Sequence, residues 1–154
     1  ESWIGDHHQT EGADVRGLTI LEPYAALIRL GRKKVENRKW ATSYRGPLLI
    51  HAGKGPRLLQ FMDDGRDMEY DLTRADMRLG MAVAVAELAA CYTRADIMDN
   101  KVADNHLWLA THEHVEGPFC WVLENVREIK PIPFLGLLGL WNVPAELEAQ
   151  IVQS

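Results

Sequence analysis

Lys33, Glu36 and Arg38 stand within six residues of one another, two cations around a single carboxylate. An ammonium and a guanidinium so placed can hold a phosphate or polarise a carbonyl, Lys as a point charge and Arg through a rigid bidentate fork. The carboxylate, kept ionised by its neighbours, can orient both cations or accept a hydrogen bond from an exocyclic amine such as cytosine N4. If the chain is an enzyme, Lys33 and Glu36 are the pair that a general acid/base step would use. Tyr24, Trp40 and the distant Trp141 offer flat faces on which an unpaired base can stack, and Arg45 and Lys54 can line a groove. The competing readings are structural: solvated surface charges, and tryptophans that fill a core.

Charge distribution sharpens the choice. Residues 29–57 carry nine Lys or Arg against Glu36 alone, a net of +8 in a chain whose total is −5. A local basic patch on an acidic body fits a polyanion site with a defined place, and argues against a protein that coats nucleic acid through its net charge. His112-Glu113-His114 supplies two metal ligands without an evident third, so no metal and no cofactor is expected. His51, inside an apolar run, reads as a core histidine. Cys91 and Cys120, also in apolar runs, read as free buried thiols.

The elements that must position these residues follow from punctuation and pattern. Val15 to Leu21 is a first strand. Pro23, whose missing N–H has no intrahelical partner in a first turn, opens a short helix to Leu30, and Gly31 closes it. Gly31 to Arg38 then reads as a dense polar turn at the cation-favouring end of that helix. Leu48 to Ala52 is a second strand. A long polar connection, 57–78, carries loop signals at its centre, with helical turns suggested at 56–62 and 72–77. Met81 to Thr93 is continuously apolar and reads as a strand buried on both faces, with helix as the alternative. Glu87, a lone acid in that run, needs a partner, for which Arg38 is available. Leu107 to Ala110 suggests a short strand, Phe119 to Ile129 a long one ended by Pro131 and Pro133, and Ala145 to Val152 a closing helix.

At 154 residues the chain fits one domain, 15–154, behind a polar lead-in, 1–14. No apolar run reaches the roughly 18 residues of a membrane span, so a cytoplasmic protein with no membrane partner is expected. The fold class is α+β, with short strands around a small mixed barrel and short flanking helices.

The ordered set Pro23-Tyr24-Ala25, Gly31-x-Lys33-x-x-Glu36-x-Arg38, Trp40 and Arg45-Gly46-x-Leu48-x-Ile50-x-Ala52 resembles the ASCH domain, a member of the PUA-like superfamily of small β-barrels. Gly80, Ala86-Glu87-Leu88, Phe119-Cys120-Trp121 and Gly139-Leu140-Trp141 extend the likeness over about residues 16–144. The resemblance implies a PUA-like barrel with a cleft, and an association with RNA, single-stranded DNA or a modified nucleotide. Some small bacterial members are similar in fold and are enzymes, among them an amidohydrolase that removes acyl groups from N4 of cytidine. Its catalytic group resembles a Lys and a Thr of this motif plus a distant Glu; Lys33 matches the Lys, and Glu36 stands at the Thr position. The alternatives to a nucleic-acid-binding module are therefore a hydrolase of modified nucleosides or RNA, and a domain whose basic patch meets an acidic protein partner.

Overall fold

The computed structural model describes residues 15–53, 62–63, 66–67 and 70–153. Its main sheet has six strands, β1 (Arg16–Leu21), β2 (Val35–Arg38), β3 (Gly46–Gly53), β7 (Met81–Thr93), β8 (Phe119–Pro133) and β9 (Leu140–Asn142), in the order β2-β8-β7-β3-β1-β9. Among the described residues only the β1–β3 pair is parallel. The sheet curls into a half-barrel and, with a few short helices, makes an α+β fold of the expected kind. The three two-residue strands β4 (Met62–Asp63), β5 (Arg66–Asp67) and β6 (Leu72–Thr73) form a small separate sheet.

Curling follows from burial. β3 buries successive residues on both faces: Leu48 and Ile50 join Leu18, Ile20, Ile28 and Trp121 on one side, while Leu49 joins Val85, Trp141, Leu147 and Ile151 on the other. Helix α1 (Tyr24–Arg29) covers the first side with Ala25 and Ile28. Helix α3 (Ala145–Gln153) covers the second with Leu147 and Ile151, one turn apart on one stripe. A third cluster, Val35, Ile97, Leu109, Cys120 and Val122, seats helix α2 (Arg94–Met98) and the 3₁₀ run Asp104–Thr111 beside β2 and β8.

Gly31 has φ +79° and stops α1 as expected, with Pro23 just before the first helical residue. At 35–38, where the sequence suggests a turn, the structure has strand β2, because Val35 opposite Val122 and Glu36 opposite Trp121 gain an antiparallel partner on β8. Strand β8 continues through both prolines to Pro133. Beyond Val122, β2 no longer covers its outer side, so among the described residues it is an edge there, where a missing N–H is tolerated. Residues 107–110 belong to the 3₁₀ run instead of a strand, and of the helical turns suggested in 57–78 the second is strand β6 followed by one 3₁₀ turn, Arg74–Asp76. The first, except for Met62 in strand β4, and the lead-in 1–14 lie outside the described residues. Strand β7 forms as expected but is not buried throughout: Glu87 is exposed and accepts a hydrogen bond from Asn125 Nδ2 at 3.0 Å, not from Arg38. Cys91 and Cys120 are free thiols, and no helix among the described residues is long and apolar enough to cross a membrane.

Candidate functional site

The open mouth of the half-barrel is a cleft of about 290 Å³ between β1, the start of α1, β2 and the turn before β8. Strand alternation places Glu36 and Arg38 on one face of β2 and Asn37 on the other. β1 and β2 are not neighbours in the sheet, yet Arg38 Nη2 donates to the Thr19 carbonyl at 3.0 Å and so spans the mouth. Arg38 Nε lies 3.0 Å from Glu36 Oε2 but has no aligned hydrogen-bond partner among the described residues. Lys33 reaches the same carboxylate from α1's end: two backbone N–H groups, of Arg32 and Lys33, donate to the Leu27 carbonyl, and this turn tucks the Lys33 side chain inward. Its Nζ donates to the Val35 carbonyl, lies 3.7 Å from Glu36 Oε1 and sits 5.6 Å from the Tyr24 ring centroid.

Burial dominates the electrostatics. Lys33 is 4 % exposed and Glu36 8 %. Desolvation lowers the Lys33 pKa against the raising effect of Glu36 and, more weakly, Glu116. Desolvation likewise raises the Glu36 pKa, against Lys33 and Arg38, which lower it. The ammonium and the carboxylate are thus each drawn towards their neutral forms, an amine that can accept a proton and a carboxyl that can donate one.

Residues outside the predicted binding set complete the walls. Thr19, Asn37, His114 and Glu116 line the cleft. Asn37 ties β2 to the turn before β8: its Nδ2 donates to the His114 carbonyl at 2.9 Å, and its Oδ1 accepts from the backbone N–H of Glu116 and Gly117 at 3.0 and 2.9 Å. That clamp sets His114 against the cleft. The sequence signal for it was the His112-Glu113-His114 tract, of which His112 Nε2 accepts from the Lys34 backbone N–H at 3.1 Å.

Of the eight residues singled out from sequence, the structure brings Tyr24, Lys33, Glu36 and Arg38 together. Trp40 is exposed and does not line the cleft; its carbonyl accepts from Trp121 Nε1 at 3.2 Å. Arg45 lies elsewhere on the surface, bonded to the Thr42 and Tyr44 carbonyls. Trp141 is not available to a base: it is 5 % exposed, its ring stacks on Phe134 at 5.3 Å, and it packs against Gly17, where any β-carbon would meet the ring. Lys54 lies outside the described residues. His51 is a core histidine as expected, 3 % exposed with Nε2 2.6 Å from the Phe134 carbonyl. The basic window is therefore not one solvated face, since Arg29 also turns inward, to Glu128 at 3.1 Å and the Asp76 carbonyl at 2.8 Å.

A family model described as ASCH domain matches residues 18–133, most of the chain and every residue of the cleft. The chain belongs to the ASCH domain family. This ASCH domain is 25 % identical over 159 aligned positions to human activating signal cointegrator 1, an alignment that covers 94 % of this chain and 25 % of that protein. It thus spans about a quarter of the length of the curated relative it matches. The crystal structures of an ASCH protein from Zymomonas mobilis and of a point mutant of it superpose with TM-scores of 0.53 and 0.56, at 13 % and 14 % identity, over 92 % of this chain and 95–96 % of theirs. At that identity the likeness concerns the fold.

Proposed function

We propose that this ASCH domain binds nucleic acid by taking one unpaired nucleotide into the cleft. The observation that carries the proposal is the Lys33–Glu36–Arg38 triad, its lysine and carboxylate buried and its arginine half-buried, at the mouth of a cleft of about 290 Å³, the small end of ligand sites and too small for a duplex. Arg38 meets a phosphate or a base carbonyl, Glu36 accepts from an exocyclic amine, and the exposed edge of Tyr24 offers a face to the base. Family membership supports the nucleic-acid class.

One observation favours a second reading, a hydrolase of modified nucleosides or RNA: the lowered pKa of Lys33 beside a carboxylate whose pKa is raised is the setting of a general acid/base pair. A single experiment separates the two. Titrate nucleosides, mononucleotides, N4-acylated cytidines and short single-stranded oligonucleotides by calorimetry, and analyse the same mixtures for products. Saturable binding without product supports the binding module; product lost on Lys33→Ala supports the hydrolase; no binding and no product across the panel sinks both and leaves an acidic protein partner for the patch.

A further inference from the structure

Five rings run outward from the cleft wall. His114 lies 5.8 Å from Tyr70, which is 6.5 Å from Tyr24, and in the other direction 5.6 Å from His112, which is 5.5 Å from Trp108. Two successive lysines serve the two ends. Lys33 turns in over the Tyr24 ring, while Lys34 stays exposed with Nζ 5.7 Å from the Trp108 centroid. The Lys34 backbone N–H bonds His112, so the ring strip is registered on the segment that carries the cleft's cations. Trp108 is 36 % exposed, two ring steps from a residue that lines the cleft.

A Trp that is 36 % exposed with an ammonium 5.7 Å from its ring centroid, adjoining a one-nucleotide cleft, is the arrangement of a stacking platform: base on the ring, backbone phosphate on the lysine. We infer that Trp108 and Lys34 form a flanking subsite for the nucleotide next to the one in the cleft, so that the ligand is a single strand of at least two nucleotides and not a free nucleoside. This rests on the cleft reading above. Glu113 and Glu116 share the turn with His112 and His114, so the strip is not uniformly basic and stacking, more than charge, supplies its affinity.

The test compares a mononucleotide with single strands of two to eight nucleotides, in ribose and deoxyribose forms, for the wild-type chain, Trp108→Ala, Trp108→Phe and Lys34→Ala. The expected result is a gain in affinity from one to two or three nucleotides. Trp108→Ala removes that gain, about 5- to 150-fold, the worth of one base stacked on an aromatic face. It leaves mononucleotide binding unchanged, and Trp108→Phe restores most of the gain. Lys34→Ala lowers the salt slope for the longer strands by about 0.7, one phosphate contact on a single strand. Equal affinity for one nucleotide and for longer strands overturns the flanking subsite while leaving the cleft standing, as does a gain with length that Trp108→Ala leaves intact. Absence of binding to any of them overturns both. The ribose and deoxyribose arms say which polymer is preferred.

Discussion

Replacing Glu36 by Gln keeps the shape of the triad and removes its only negative charge. Lys33 Nζ at 3.7 Å and Arg38 Nε at 3.0 Å then face each other's charge with no counterion between them, Lys33 almost without access to water. Each attraction has a gross size of about 5 kcal/mol at an effective dielectric constant near 20. Breaking a buried pair by removing one partner typically costs about 3–5 kcal/mol, most of it the desolvated charge left behind. For a domain of this size we expect about 3 kcal/mol, a fall in Tm of about 6–12 °C. The pH dependence identifies the cause. Below the raised pKa of Glu36 the native carboxyl is already neutral, and Gln costs little. As pH rises towards the lowered pKa of Lys33, below the ordinary 10.5, the stranded ammonium sheds its proton and the deficit shrinks again. The deficit is therefore largest between the two and narrows on both sides. Thermal unfolding of wild type, Glu36→Gln, Lys33→Met and the double variant from pH 4 to 10 measures it, and the double variant should lose less than the two single losses added. A loss below 1 kcal/mol that is flat with pH would mean that the triad is an ordinary surface cluster and would refute the reasoning.

Three further outcomes follow from the same geometry. Gly17→Ala drives a β-carbon to 2.5 Å from the Trp141 ring, which is also stacked on Phe134, so a loss of about 1–3 kcal/mol is expected in denaturant unfolding; unchanged stability would show that the ring moves freely. Burial, with His114 and then Lys33 and Lys34 beside it, depresses the His112 pKa below 6.5 against the weaker pull of Glu113, so His112 contributes stability that is fully present above pH 6.5 and lost as pH falls through its depressed value. Thermal melts of wild type and His112→Gln between pH 7.5 and 5 should converge towards the acid end, and parallel curves would contradict the assignment. Asn37→Ala frees three backbone partners on the turn before β8, and hydrogen exchange should rise at Glu116 and Gly117 ahead of the core strands; protection there equal to wild type would remove Asn37 as the clamp.

What the sequence revealed is what local chemistry determines. Gly31 stops a helix because of its own backbone, and Leu27, Ile28 and Leu48 to Ile50 announce buried faces by pattern. Lys33, Glu36 and Arg38 were legible because charge placed next to charge is visible in one dimension. β2 was not legible, since Val35 to Arg38 is polar and becomes a strand only because Val122 and Trp121 of β8 lie opposite. Pro131 and Pro133 misled for the same reason: their tolerance depends on an outer side left uncovered by β2, a fact about a neighbour. Trp141 suggested a stacking face because residue type does not show which side of the sheet is covered, and Phe134 and Gly17 cover it. His114 reaches the cleft through the Asn37 clamp, a contact across 77 residues. Long-range pairing, not propensity, decides each of these.

Whether the triad cleft accepts an unpaired nucleotide is decided by calorimetric titration of wild type and Arg38→Ala with mononucleotides and a short single strand, at two salt concentrations and with folding of the variant verified by circular dichroism. Saturable one-to-one binding is expected, weakening with salt and falling at least about tenfold on Arg38→Ala, the loss of a charge-assisted contact. Binding that Arg38→Ala leaves intact, or no heat with any nucleotide or strand, would contradict it.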